Sequence, residues 1–155
     1  MLTNDQQAPA FNTIDQNGDA VSLNDFAGKQ NIVLYFYPKD DTPGCTIEAN
    51  QFTALKEKFD ALDTVILGVS KDSEQSHCDF IKKFDLNLTL LADTSGELCE
   101  SYDVWQDKGK DGTVKMGIVR STFIIDKNSI IKSAEYGVSA DGHAQAVYDF
   151  ISTKL

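Results

Sequence analysis

Two uncharged runs, NIVLYFY at 31–37 and VILGVS at 65–70, stand out against an otherwise mixed chain. Both have the length and composition of strands buried on both faces of a sheet. Between them Phe52, Leu55, Phe59 and Leu62 recur at steps of three and four, the stripe of a helix lying on that sheet. The stretch before them, FNTIDQNGDAVSL, alternates around Asn17-Gly18 and predicts a hairpin over 11–15 and 20–23. Residues 1–10 read as a loosely held tail, and 24–28 as a short helical turn closed by Gly28.

Past the second run, Asp72 and Gln75 have the spacing of a capping box for a helix over 73–84. LTLLAD at 88–93 predicts another short strand, and 95–102 a short helix carrying Leu98 and Cys99. Residues 103–117 are polar and read as an excursion. GIVRSTFIID at 117–126 and SIIKSAEY at 129–136 then form strands joined at Lys127-Asn128, and Asp141 caps a last helix with Ala144, Val147 and Ile151 on one side. Alternating strands and helices require crossovers, so the order predicts an α/β fold: a thioredoxin-like three-layer domain with a mixed central sheet and an N-terminal β-hairpin extension. At 155 residues the chain is expected to form one domain, 1–155, able to bury a core without staples.

Charge narrows the partners. A formal net charge of −10 and a pI near 4.5 leave no basic face for nucleic acid or an anionic membrane. No apolar run approaches the ~20 residues of a membrane helix, and the N-terminus has no signal-like segment, so a cytoplasmic location is expected. Three cysteines, at 45, 78 and 99, form no CxxC and no regular spacing. That argues against a disulfide framework, a thioredoxin-like dithiol or a zinc site, and leaves catalytic or buried thiols.

Cys45 has the most informative address. PKDDTPG at 38–44 is turn chemistry feeding a helix start, which places this cysteine where unpaired N–H groups and the helix dipole favour a thiolate. At ~100° per residue, Cys45 lies roughly 20° around the axis from Phe52, so its sulfur starts on the buried-facing side. His77 falls near the centre of an apolar stripe and reads as a packed, hydrogen-bonded residue. Cys78 lies on the flank beside Glu74 and Asp85, partly exposed, whereas Cys99 reads as a small core residue. His143 falls in the first turn of the last helix. Lys39, Asp40 and Asp41 read as solvated loop charges.

The segment YFYPKDDTPGCTIEANQF resembles the active-site stretch of peroxiredoxins, in particular the Q-type or bacterioferritin comigratory protein branch. Pro38, Thr42 and Cys45 match a Pro-x-x-x-Thr-x-x-Cys motif, and GIVRSTFIID resembles the arginine-bearing strand at Arg120. The resemblance implies a thiol-dependent peroxidase for hydrogen peroxide and organic hydroperoxides, using neither metal nor organic cofactor. Cys45 would be the peroxidatic nucleophile, forming a sulfenic acid. Arg120 would stabilise the thiolate and hold peroxide oxygens, Thr42 would orient the peroxide, Pro38 would shield the sulfur, and the Gly44 N–H would add a donor.

Many Q-type members carry a resolving cysteine five residues after the peroxidatic one, and that position here is Asn50. Another part of the family resolves from the following helix, at a position aligned with Ile81, one turn beyond Cys78. Three routes stay open: Cys78 as resolving thiol, after local unwinding around Cys45, Cys99 in the same role, or direct reduction by an external thiol. The implied reductant is thioredoxin, with glutaredoxin or a small thiol as the alternative, and the implied state is a monomer. A non-catalytic redox sensor or holdase is the competing reading from another class.

Overall fold

The computed structural model describes residues 1–155. Its centre is a five-stranded mixed sheet made of β3 (Asn31–Phe36), β4 (Thr64–Ser70), β5 (Thr89–Ala92), β8 (Ser121–Ile125) and β9 (Ile131–Tyr136), in the order β5-β4-β3-β8-β9. β3 pairs in parallel with β4, and β4 with β5, across helices α1 (Pro43–Asp60) and α2 (Glu74–Phe84). β8 and β9 join antiparallel. β1 (Asn12–Ile14) and β2 (Ala20–Ser22) form the expected hairpin, with Gly18 at φ 79° in its turn.

Side-chain alternation along β3 divides the interior into two cores. Ile32, Leu34 and Phe36 point to one face, where α3 (Glu97–Ser101) supplies Leu98 and Cys99 and the N-terminal region supplies Phe11 and Leu23. Val33, Tyr35 and Tyr37 point to the other, against Ala49, Phe52 and Phe59 of α1, Phe80 of α2, and Val147 and Ile151 of α4 (His143–Lys154). Tyr35 sits opposite Gly68 of β4. A Cβ at Gly68 would lie 2.8 Å from the Tyr35 ring and from Leu90, so the glycine makes room for the aromatic ring.

Several expectations are corrected. The N-terminal tail is not loose: Asp5 N–H donates to the Ile131 carbonyl and Ala8 N–H to that of Ser129, while Ile131 N–H donates to Gln6. These bonds cover the start of β9 and the turn before it. The polar excursion holds a second hairpin, β6 (Trp105–Asp107) with β7 (Met116–Ile118), too short and too polar to show an alternating signal. The strand expected over 117–126 is broken after Ile118, and Arg120 lies in the gap before β8. Ser73, rather than an Asp72–Gln75 box, caps α2 by accepting from Ser76 N–H; Asp72 is taken up by Ser70 Oγ and Asp40 N–H. Gly142 occupies the N-cap of α4, and Asp141 instead accepts from Gln51.

Candidate active site

β3 ends at Phe36, and Pro38 then carries the chain out of the sheet into a loop that returns as α1. Pro43 occupies the first helical position, where its missing N–H costs nothing, so Pro43 and Gly44 belong to the helix rather than to the preceding loop. Thr42 is the N-cap residue, yet its hydroxyl donates 2.8 Å to the Lys39 carbonyl and caps no helical N–H. The first helical bond runs from Thr46 N–H to Thr42 O. The N–H groups of Gly44 and Cys45 are therefore left for whatever occupies the helix end.

Cys45 is 2% exposed, packed into the second core beside Tyr35 and Phe52. Arg120 reaches it from the gap between β7 and β8, with Nη2 3.3 Å from Sγ. The other arm of the fork, Nη1, donates 2.7 Å to Glu48 Oε1. Glu48 follows Cys45 by three residues, on the same face of α1, so one guanidinium bridges a thiol and a carboxylate a helical turn apart. A Cβ on Gly44 would lie 3.1 Å from Nη2, so the glycine allows this close approach. The Arg120 carbonyl accepts from Val138 N–H at 2.9 Å and fixes the backbone from which the side chain reaches.

Glu48 is fully buried, and burial pushes its carboxyl up to about 7 even though Arg120 pulls the other way. Its Oε2 has no partner, nor does the hydroxyl of Tyr35. Burial also raises the Tyr35 phenol well above its ordinary range, with the Glu48 charge adding to the effect. The Cys45 thiol is thus lined by an aromatic floor, one cation and one carboxylate that is easily neutralised. Sequence reading passed over Glu48, whose signal was the i, i+3 spacing to Cys45 on the buried stripe.

Asp40 is not a solvated loop charge. It is 6% exposed and accepts from Tyr37 OH (2.6 Å) and Ser76 Oγ (2.8 Å), with His77 Nδ1 at 2.7 Å from its Oδ2. His77 Nε2 lies 2.9 Å from the Leu91 carbonyl, which only an N–H can satisfy. This network ties the loop between Pro38 and Thr42 to α2. The ligand atoms of Asp40, Asp72 and His77 lie within 4.8 Å of one another, but those of all three are already engaged in hydrogen bonds. Lys39 and Asp41 are exposed, as expected, and Asp41 pairs with Lys83 at 2.7 Å.

The remaining residues separate from the sulfur. His77 is fully buried, in keeping with its expected packing, and His143 is the first residue of α4, with Nε2 2.7 Å from Thr122 Oγ1. Cys78 is half-buried on the flank of α2, and its Sγ donates 2.9 Å to the Gln16 carbonyl in the β1–β2 turn. Adjacent helical residues point ~100° apart, so while His77 faces the Asp40 loop, Cys78 faces the hairpin. Cys99 is fully buried, and burial, followed by Asp93, pushes its thiol far up. Asn50 is exposed on α1.

The model of the AhpC/TSA family matches residues 5–134. Peroxiredoxin Bcp of Bacillus subtilis is 50% identical over 122 residues, covering 79% of this chain and 77% of that protein. Peroxiredoxin Bcp of Escherichia coli K12 is 36% identical over 147 residues, covering 93% and 92%. A solved structure of Xanthomonas campestris bacterioferritin comigratory protein, described for its alkyl peroxide reduction activity with a trapped intermediate and ligand complexes, superposes with a TM-score of 0.88 at 37% identity, over 92% of this chain and 90% of that one. With this match in sequence and fold on both sides of the Cys45–Arg120 contact, the chain belongs to the AhpC/TSA family, within its peroxiredoxin Q (Bcp) branch.

Proposed function

We propose that this protein is a thiol-dependent peroxidase whose nucleophile is Cys45, acting on hydrogen peroxide and on organic hydroperoxides. The observation that carries the assignment of the nucleophile is the Arg120 Nη2 contact to Cys45 Sγ at 3.3 Å, at the third residue of an uncapped helix N-terminus. A permanent cation and two open N–H groups surround the sulfur with donors for the charge that moves onto the peroxide oxygen during attack.

In the reaction the Cys45 thiolate attacks the terminal oxygen of R–O–OH. An S–O bond forms as the O–O bond breaks, sulfur gives up two electrons, and the OH group ends on Cys45 as a sulfenic acid. RO⁻ departs and takes a proton from solvent to become the alcohol, or water when R is hydrogen. Arg120 and the Gly44 and Cys45 N–H groups stabilise negative charge on the departing oxygen. Thr42 Oγ, held by the Lys39 carbonyl, keeps its lone pairs for a peroxide proton, and Pro38 walls the sulfur from bulk water. No residue of this set calls for a metal or organic cofactor.

A thiol reductant closes the cycle, with thioredoxin the proposed donor and a monomer the proposed working state. The contact of Cys78 with Gln16 favours direct attack of that external thiol on the sulfenic acid in the folded protein. A Cys45–Cys78 disulfide needs Cα atoms within about 7 Å, and so the unwinding of the first turn of α1 and a break of the Gln16 contact. Mass spectrometry of the peroxide-treated protein tests both halves. Peroxide should add one oxygen to Cys45, and Cys45→Ser should abolish peroxide consumption. Full thioredoxin-linked turnover in Cys78→Ser establishes the external route, whereas one stoichiometric reaction without turnover establishes Cys78 as the resolving thiol. An untouched Cys45 would overturn the assignment.

A further inference from the structure

The loop from Gly137 to Gly142, between β9 and α4, borders the Cys45 site at two points. Val138 N–H donates 2.9 Å to the Arg120 carbonyl, on the backbone from which the guanidinium reaches. Ala140 faces the start of α1, its Cβ 3.9 Å from where a Cβ on Gly44 would lie. One loop thus meets both the arginine and the residue before the cysteine. It belongs to neither β9 nor α4, and glycines at φ 70° and 80° turn the chain at its two ends, so its placement depends on side-chain and backbone contacts outside the regular elements.

A third contact fastens it. Gln51 of α1 uses both ends of its side-chain amide: Nε2 donates 2.7 Å to Asp141 Oδ1, and Oε1 accepts from Gly142 N–H at 2.8 Å. Two bonds from one planar amide fix orientation as well as distance. Gln51 lies two turns after Gly44, ~20° around the helix axis and about 10 Å along it, so both residues face the loop.

We propose that Gln51 is a positioning residue for the peroxidase reaction: by clamping this loop to α1 it keeps Gly44 and the Arg120 backbone in register, and so sets the approach of the guanidinium to Cys45. The proposal rests on the peroxidase reading above. Gln51 touches neither the sulfur nor the peroxide and takes no part in the transfer of electrons or protons; it acts through the loop. With the amide removed, the loop is released from α1, and Arg120 Nη2 loses the support for its 3.3 Å approach to Sγ, from which it meets the departing oxygen. A displacement of about 1 Å in such a donor is enough to slow the step tenfold or more.

The test compares two reagents on the fully reduced protein, hydrogen peroxide and iodoacetamide, with the rates read by mass on the Cys45 peptide. Peroxide needs a donor for its departing oxygen, whereas iodoacetamide loses iodide and needs none. The ratio of the two rates therefore reports the placement of Arg120 and cancels changes in exposure or ionisation of the sulfur. Gln51→Ala should lower the ratio about tenfold. Gln51→Glu sets a carboxylate against Asp141 and should do the same, whereas Asp141→Asn alone still accepts from Gln51 and should leave the ratio within about twofold of the parent. Combining Gln51→Glu with Asp141→Asn exchanges donor and acceptor across the contact at constant net charge, and should restore the ratio to within about twofold. This exchanged pair decides the matter even where the alanine variant unfolds. An unchanged ratio in Gln51→Glu overturns the proposal, as does failure of the exchanged pair to recover. Equal slowing of both reagents, the mark of a merely structural role, overturns it as well. If iodoacetamide modified Cys45 of the parent but hydrogen peroxide left it unoxidised, the underlying peroxidase reading would itself be refuted.

Discussion

Glu48 should make this protein less stable as pH rises, and Glu48→Gln should remove that dependence. The carboxyl goes from an ordinary 4.5 to about 7 on folding, because burial penalises its charge more than Arg120 rewards it. Below pH 4.5 the group is neutral in both folded and unfolded chains and its titration costs nothing. Between 4.5 and 7 the unfolded chain releases the proton and the folded one keeps it, so stability falls, and above 7 the full cost is present. At ~1.36 kcal/mol per pH unit, the rise from 4.5 to about 7 amounts to about 3 kcal/mol. Gln has the same shape, accepts from Arg120 Nη1 through its carbonyl oxygen, and does not ionise. Urea unfolding is measured from pH 4 to 8.5 for both proteins in a Cys45→Ser background, so that the neighbouring thiol does not contribute. The stability of Glu48→Gln relative to its parent should rise by about 3 kcal/mol across that range. A difference that stays flat with pH would refute the reasoning. In the Cys45 protein the same change should lower kcat/KM for hydrogen peroxide about tenfold, since a neutral amide holds the guanidinium against the sulfur less firmly.

Gly44→Ala should slow oxidation of Cys45 by about tenfold or more through misplacement of Arg120, while Tm changes little; stopped-flow rates and a melting curve check both. His77→Asn removes the Nδ1 contact to Asp40 and the Nε2 contact to the Leu91 carbonyl, leaving Asp40 to Tyr37 and Ser76, and should cost about 1–3 kcal/mol in urea unfolding, with the Pro38–Thr42 loop becoming sensitive to protease. Gly68→Ala drives a methyl into Tyr35 and Leu90 and should destabilise by about 1–3 kcal/mol.

Legibility in the sequence followed how local each interaction is. The α/β order, the two buried strands and the stripe of α1 depend on periodicity within a few residues, and all appear where expected. Pro38, Thr42 and Cys45 lie within eight residues, so their motif could be read directly. The β6–β7 hairpin escaped because each strand is three residues long and half-exposed. Asp40 was misread because its environment comes from His77 and Ser76, 37 and 36 residues away, and a run of Lys-Asp-Asp carries no sign of which carboxylate turns inward.

By itself, then, the chain's pattern determined a mixed sheet with crossover helices and a cysteine at a helix start, because strand and helix periods and helix-end chemistry are properties of neighbouring residues. Only the tertiary structure decided what surrounds that sulfur. Sheet pairing of β3 with β8 brings Arg120 across 75 residues to Cys45, and α1 turns Glu48 to meet the same guanidinium. It also set Cys78 against Gln16 and Gln51 against Asp141. Such contacts depend on which elements pack together, and no stretch of sequence short enough to read by pattern contains both partners.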